Sequence, residues 1–153
     1  MAILFFDLER FKRVNDTLGH AAGDELLKEF AGRLDGCMRD SNVVGRLGGD
    51  EFAALIEVAD DLSGVSRAAE RILESMEQPF ELGSSPTRMT TSIGIAVFPY
   101  DPSESGTLLS RADAAMYRAR SASQGGFACY RAQGALPAAR NSATEVDEAK
   151  QER

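Results

Sequence analysis

Arg46-Leu-Gly-Gly-Asp-Glu-Phe-Ala-Ala-Leu-Ile56 is the stretch of this sequence that most constrains its fold. The apolar residues on each side of the glycine pair predict two strands joined by a two-residue turn at Gly48-Gly49. Glycine suits such a turn because it adopts a positive φ without strain. The sequence therefore predicts a β-hairpin, with Asp50 and Glu51 directly after its turn.

The two carboxylates of this hairpin allow two interpretations. They could form a solvated acidic rim on a tight turn, which is the structural interpretation. The glycines would also let the phosphates or ribose of a ligand approach the backbone closely, which is the functional one. Successive strand residues point to opposite faces, so Asp50 and Glu51 are not expected to share one role unless the turn twists the backbone.

Strands and helices interleave along the rest of the chain. Residues 2–6 form a continuous apolar run, which is typical of a strand buried on both faces. Apolar residues at helical spacing and runs of alternating residues predict helices near 9–16, 24–38, 62–76 and 108–119, and strands near 89–98 and 127–130. This order favours an α/β fold with a mixed central sheet flanked by helices. We expect one domain over 1–131 and a flexible C-terminal tail over 132–153, where the periodicity is lost.

The alternation of residues in the strand predicted near 89–98 indicates how this strand packs. Bulky residues alternate with small ones between 92 and 97, so one face of this strand should admit the close approach of a helix: Ile93, Ile95 and Val97 on one face, Ser92, Gly94 and Ala96 on the other.

Asp7 stands at the end of the first predicted strand, just before a helix. Ligands collect at such strand ends in α/β sheets, and Mg²⁺ usually takes one or two protein carboxylates. Asp7 and Asp50 together would supply that pair. The alternative is that Asp7 only caps the following helix.

Composition narrows the class of function. The net charge of -7 opposes binding to nucleic acid or to anionic lipid, and no apolar stretch has membrane-spanning length. The two cysteines form no CxxC pair, and no secretory signal is recognisable. We therefore expect a cytoplasmic protein with no nucleic-acid partner and no membrane segment.

Four blocks of sequence in the same order resemble the diguanylate cyclase (GGDEF domain) family: FFDLERFKRVNDTLGHAAGDELL, RLGGDEFAALI, TTSIGIAVFP and RADAAMYRAR. The resemblance implies a nucleotidyl cyclase-like fold with a ferredoxin-like core and a hairpin that carries the GGDEF motif. It implies condensation of two GTP molecules into cyclic di-GMP with release of pyrophosphate, for bacterial second-messenger signalling. The alternative is a noncatalytic GTP-binding module that acts in regulation or partner interaction.

The resemblance also implies roles at the metal. Asp7, Asp50 and the backbone carbonyl of Leu8 would bind Mg²⁺ or Mn²⁺, and Asp50 and Glu51 would be the catalytic residues. Glu51 would assist near the attacking 3′-hydroxyl group.

Further residues would bind the substrate. By resemblance, Asn15 and Asp24 would contact the guanine edge, and Lys12, Arg120 and the backbone near Phe11 would face the phosphates. Gly48 and Gly49 would let the nucleotide approach the hairpin. Alternatively, Asn15 and Asp24 are helix caps, and Lys12 and Arg120 are solvated charges. Since each domain would hold one GTP, turnover would need an antiparallel homodimer.

Three departures from the family pattern carry expectations of their own. Arg39 is followed by Asn42 where the inhibitory RxxD motif has aspartate, which predicts weak product inhibition. Gln124 stands in place of a second basic residue, which predicts weaker GTP binding. The chain starts at the first strand and lacks the usual N-terminal helix, so it is either a fragment of a longer parent chain, which could carry an additional domain, or a domain with a shortened start.

Overall fold

The computed structural model describes residues 1–58, 62–83, 85–100, 107–122 and 125–130, in which seven strands and four helices follow one another. The elements are β1 Ala2–Leu8, α1 Phe11–Leu18, α2 His20–Cys37, β2 Val43–Gly48, β3 Glu51–Ile56, α3 Ser63–Met76, β4 Phe80–Leu82, β5 Ser85–Thr87, β6 Thr91–Val97, α4 Leu108–Ala122 and β7 Gly126–Cys129. Gln124 and the tail predicted over 132–153 lie outside the described residues.

Five strands form the central sheet, in the order β2-β3-β1-β6-β7. β1 lies in the middle and pairs antiparallel with both β3 and β6, whereas β6 and β7 are parallel. The sheet is therefore mixed, and the predicted α/β architecture is confirmed. The central position explains why β1 is an almost continuous apolar run, since both of its faces are covered.

The two faces of the sheet pack against different helices. On one face, Phe6 of β1, Phe30 of α2 and Phe52 of β3 form edge-to-face ring contacts with centroids 6.4 and 5.1 Å apart. On the other face, Phe5 and Ala96 pack with Ala112 and Met116 of α4. Each face of the sheet thus has its own hydrophobic cluster.

Gly94 sets how closely α4 approaches the sheet. A Cβ atom at this position would overlap the carbonyl oxygen of Ala112 and the backbone nitrogen of Met116. The prediction that the small face of this strand receives a helix is confirmed, and the helix is α4.

The hairpin turn differs from the predicted one by one residue. Gly48 belongs to β2 and pairs with Glu51, so the turn consists of Gly49 and Asp50 rather than Gly48-Gly49. Gly49 has φ 53, and its carbonyl oxygen accepts hydrogen bonds from Arg46 Nε and Nη2 at 3.0 and 2.8 Å. The register shifts between Arg46 and Gly48, which the alternation of apolar residues could not reveal.

The first two helices also begin at other residues than predicted. α1 starts at Phe11 rather than Glu9, because the backbone N–H of Glu9 donates to the carbonyl oxygen of Thr90 at 3.0 Å. α2 starts at His20 rather than near Asp24, since Gly19 with φ 87 ends α1 and immediately precedes α2.

The β4–β5 hairpin was not predicted, because three-residue strands are too short to show a period of two. Among the helices of the described residues, none combines the length and the apolar character needed to span a membrane.

Candidate functional site

Three chain segments meet where β1 ends. Asp7 lies opposite Glu51 of β3 on one side and opposite Ser92 of β6 on the other. The backbone N–H of Leu8 donates to the carbonyl oxygen of Asp50 at 3.4 Å, which joins the end of β1 to the hairpin turn. The fold therefore brings the two aspartates of the sequence prediction to one edge of the sheet.

Asp7 is a buried carboxylate with a cationic partner. It is 7% exposed, and Arg120 Nη1 of α4 lies 2.7 Å from its Oδ2 atom. The pKa of Asp7 is raised from 3.8 to about 6, mainly by burial and next by the charge of Asp50. The guanidinium of Arg120 opposes these two effects, while Glu51 and Glu9 add to them.

Asp7 is not a helix cap, so that alternative is wrong. Arg10 occupies the N-cap position of α1 with φ 62, and no side chain makes a capping hydrogen bond there. Arg120 is about half exposed and is not only a solvated charge, because its guanidinium group forms an ion pair with Asp7.

The sheet edge where Asp7 and Asp50 lie, called the acidic edge below, offers the oxygen ligands that a hard cation such as Mg²⁺ requires. Asp7 and Asp50 supply carboxylate oxygens, and their mutual repulsion raises the pKa of Asp7, which a bound cation would relieve. In the described residues, no three side chains of His, Cys, Asp or Glu are grouped to hold a metal ion together. Two protein carboxylates suit Mg²⁺, which usually retains water and phosphate oxygens as its other ligands. The residues at this edge fit such an ion.

A groove of about 450 Å³ runs between α2 and the hairpin. Asp24, Leu27 and Ala31 of α2 form one wall, and Val44, Arg46 and Phe52 form the other. Arg46 therefore lines this groove and also holds the Gly49 carbonyl of the turn. One side chain, Arg46, thus connects this groove to the turn that carries Asp50.

Asn15 of α1 contacts α2 one residue before Asp24, which lines this groove. Its side-chain amide is packed directly against Gly23, where any Cβ atom would overlap it. Gly23 precedes Asp24, so the two residues predicted for guanine are brought close together. Neither is a helix cap, since Asn15 and Asp24 lie within α1 and α2, whose N-termini have no side-chain capping bonds.

Phe11 and Lys12 form the first turn of α1, four and five residues after Asp7. The backbone N–H groups of a helix start point outward and can bind phosphate oxygens. The side chain of Lys12 is exposed, and no hydrogen bond or ion pair is found for it in the described part of the chain. Lys12 is thus available to an anion at this edge.

Arg39 and Asn42 lie away from this edge, along a second groove of about 650 Å³ between β3 and α3. The Asn42 side chain is held locally: its Oδ1 accepts from the Glu57 backbone N–H at 3.3 Å, and its Nδ2 lies 3.8 Å from Met38 Sδ. Arg67 and Arg71 also line this groove.

The sequence prediction missed Glu9. This side chain is 6% exposed and accepts hydrogen bonds from Thr90, Ser92 and Gly125. A signal was present, because the Thr90-Thr91-Ser92 run places three hydroxyl groups at the start of an otherwise apolar strand.

Comparison with known proteins gives concordant matches. Residues 1–125 match the family model described as "Diguanylate cyclase, GGDEF domain". The chain is 44% identical over 126 residues to the diguanylate cyclase TpbB of Pseudomonas aeruginosa, covering 82% of this chain and 29% of TpbB. It is 41% identical over 126 residues to the bifunctional diguanylate cyclase/cyclic di-GMP phosphodiesterase MucR of the same species, covering 82% of this chain and 18% of MucR.

Among solved structures, the GGDEF domain of TpbB (also named YfiN) from P. aeruginosa superposes with a TM-score of 0.80 at 41% identity. The match covers 86% of this chain and 82% of that one. The chain therefore spans less than a third of the curated relatives but most of an isolated domain of this kind.

Proposed function

The chain belongs to the GGDEF domain family of diguanylate cyclases, and from this we propose that it condenses two GTP molecules into cyclic di-GMP. The observation that carries the proposal is the joining of Asp7 and the Asp50 turn at one sheet edge, where burial and then the charge of Asp50 raise the pKa of Asp7. Two repelling carboxylates beside a helix start suit a metal-bound triphosphate. The proposal places the reaction in the cytoplasm, where GTP is available.

Asp7, Asp50 and the Leu8 carbonyl would hold Mg²⁺ or Mn²⁺. A bound divalent cation would neutralise phosphate charge and polarise the phosphoryl oxygens. Asp7 also pairs with Arg120. The guanidinium group of Arg120 would therefore contact both the carboxylate of Asp7 and the phosphates of the substrate.

The nucleotide would lie along the groove between α2 and the hairpin. Asn15 and Asp24 would bind the guanine edge, since an amide and a carboxylate offer the acceptors and donor that the base requires. Lys12, Arg120 and the N–H groups at Phe11 would hold the β- and γ-phosphates. Gly48 and Gly49 leave the hairpin backbone open to the substrate.

In the proposed reaction, the 3′-oxygen of one GTP attacks the α-phosphorus of the other. A new P–O bond forms, the bond from the α-phosphorus to the bridging oxygen breaks, and pyrophosphate leaves in line. The 3′-hydroxyl loses its proton in this step, and Glu51, exposed beside the turn, would assist there. A second, equivalent attack closes the ring, so two domains must face each other.

The test is a turnover assay with GTP and Mg²⁺ on the wild type, Asp50→Ala and Asp113→Ala. We expect pyrophosphate and cyclic di-GMP from the wild type, and a rate at least about 100-fold lower for Asp50→Ala because metal stabilisation is worth several kcal/mol. Asp113 is exposed on α4, and its variant should match the wild type. An inactive wild type shown to dimerise, or an Asp50→Ala variant of full activity, would refute the proposal.

A noncatalytic GTP-binding module is the second candidate. The observation in its favour is the ion pair between Asp7 and Arg120, because it neutralises part of the charge with which Asp7 would hold the metal ion that turnover needs. Binding of GTP and Mg²⁺ by the wild type without any product, at concentrations where it dimerises, would select this candidate.

Inhibition by the product is expected to be weak. The amide of Asn42 lacks the charge of the motif's aspartate and is engaged with Glu57 and Met38. Asn42→Asp should therefore increase inhibition by added cyclic di-GMP, measured as the concentration that halves the rate of pyrophosphate release. Strong inhibition of the wild type that Arg39→Ala abolishes would contradict this prediction.

A further inference from the structure

Glu9 is a buried carboxylate to which the proposed reaction assigns no role. It lies in the connection between β1 and α1 and is only 6% exposed. A buried carboxylate is costly unless hydrogen-bond donors surround it. The surroundings of Glu9 are therefore informative about its purpose.

Three donors from two other parts of the chain converge on this carboxylate. Oε1 accepts from Ser92 Oγ at 2.6 Å and from the backbone N–H of Gly125 at 3.2 Å. Oε2 accepts from Thr90 Oγ1 at 3.0 Å, and the backbone N–H of Glu9 donates to the Thr90 carbonyl at 3.0 Å. Glu9 thus ties the β1–α1 connection to the start of β6 and to the chain after α4.

The segments that meet at Glu9 are those that carry the phosphate side of the site. Asp7 and Leu8 directly precede it, and Phe11 and Lys12 follow it at the start of α1. Arg120 lies five residues before Gly125 and pairs with Asp7. A single carboxylate therefore joins the expected metal residues, the helix start and the end of α4.

We propose that Glu9 is a positioning residue that holds the start of α1 and the end of α4 in place around the phosphates of the nucleotide. The inference rests on the proposed function. Charge-assisted hydrogen bonds are strong enough for this task, and outer partners of this kind typically change affinity when they are removed. Three donors of the protein already engage the two oxygens of Glu9, so its role in this proposal is to position its neighbours rather than to bind the metal ion.

The variants Glu9→Gln and Glu9→Ala distinguish an effect of the hydrogen bonds of Glu9 from an effect of its negative charge. The glutamine carbonyl can accept from Ser92 and Gly125, and its amide can donate to Thr90 Oγ1, since a hydroxyl group accepts as well as donates. Glutamine therefore keeps the connections without the charge, whereas alanine removes all of them. Glu81→Ala, at an exposed position in β4, is the control.

The probe is guanosine 5′-(α,β-methylene)triphosphate with Mg²⁺, whose methylene bridge cannot release pyrophosphate, and binding is measured by calorimetry. We expect Glu9→Ala to bind it about 10- to 100-fold more weakly than the wild type, with Glu9→Gln and Glu81→Ala close to the wild type. Affinity for guanosine, which has no phosphates, should be the same in all four proteins.

Several results would overturn this inference. They are a Glu9→Ala variant with wild-type affinity, a Glu9→Gln variant as weak as Glu9→Ala, and a parallel loss of guanosine affinity. If Glu9→Ala does not melt cooperatively, Ser92→Ala is used instead, because it removes the shortest of the three bonds. Ser92→Ala should weaken the triphosphate analogue selectively, and wild-type affinity would count against the inference. A wild type that does not bind the analogue at all would refute the proposed function as well.

Discussion

At the scale of single residues, Gly23 determines where the Asn15 side chain can lie. The amide of Asn15 packs against this glycine, and a Cβ atom there would overlap it. Gly23→Ala should displace the amide from its place beside Asp24 and raise the KM for GTP about 10-fold, the value of one lost hydrogen bond. The measurement is the initial rate of pyrophosphate release as a function of GTP concentration.

Gly36 provides the matched control in the same helix. No atom lies within 4 Å of a Cβ built at this position. Gly36→Ala should leave KM unchanged and raise the free energy of unfolding by up to about 1 kcal/mol through helix propensity. Equal KM values for the two alanine variants would show that Asn15 does not depend on Gly23.

The pKa of Asp7 predicts how stability changes with pH in metal-free buffer. Since the folded pKa of about 6 lies above the ordinary value of 3.8, folding favours the protonated carboxyl. This stabilisation is complete below the unfolded pKa and is lost as the pH rises through about 6. Between about pH 4 and pH 7.5, the wild type should lose up to about 3 kcal/mol relative to Asp7→Asn, at 1.4 kcal/mol for each pKa unit.

Urea denaturation of both proteins across this range measures the effect, with Asp113→Asn as a control at an exposed site. The difference between the wild type and Asp113→Asn should stay constant with pH. A constant difference between the wild type and Asp7→Asn would contradict the raised pKa.

At the scale of elements, the close contact of α4 with β6 depends on Gly94, which has no side chain. Gly94→Ala would drive a methyl group into the backbone of α4 at Ala112 and Met116. We expect a loss of about 1–3 kcal/mol or more in the free energy of unfolding, as for other overpacked positions, and weaker GTP binding because α4 carries Arg120.

Gly64→Ala in α3 is the corresponding control, since a Cβ atom there has open space and a helical glycine gains from replacement. Thermal denaturation should show opposite shifts of the melting temperature for the two variants. A Gly94→Ala protein as stable as the wild type would mean that α4 can move away from the sheet at little cost.

The elements show what the sequence can and cannot predict. The bulky and small faces of β6 were predictable, because successive residues of a strand point to opposite faces of the sheet. The bulky face packs into the larger core cluster, and the small face packs against α4. The hairpin was predictable as an element, but its turn was not. The register shift between Arg46 and Gly48 accompanies hydrogen bonds from the Arg46 side chain to the Gly49 carbonyl oxygen, and these bonds depend on the folded backbone.

The candidate site divides in the same way. Asp7 and Asp50 could be paired from the sequence because strand ends and turns collect at one edge of a sheet. The ion pair of Asp7 with Arg120 and the three partners of Glu9 join residues 81 to 116 positions apart. The Thr90-Thr91-Ser92 run signals hydroxyl groups in an apolar region, but no local pattern names their partners, so these contacts required the structure.

At the scale of the whole molecule, the proposed reaction would need two domains that face each other, because each domain would hold one GTP. The rate per chain should therefore rise in proportion to protein concentration while monomers predominate, and level off once dimers form. Initial rates over a dilution series, compared with the dimer fraction from sedimentation, check this expectation. A rate per chain that is independent of concentration in a monomeric sample would contradict the two-domain reaction.

The ion pair between Asp7 and Arg120 joins residues 113 positions apart, from the first strand to the last helix of the described chain. During synthesis Asp7 leaves the ribosome early, but β6 and α4 follow only after most of the domain has been made. The central strand β1 must therefore wait for β6, the later of its two neighbours, and closing such a long loop is a slow step in folding. Completion of the Asp7–Arg120 ion pair would then coincide with the end of translation of the domain, so a chain that ends before α4 would keep the two aspartates but lack the guanidinium group that partly neutralises Asp7.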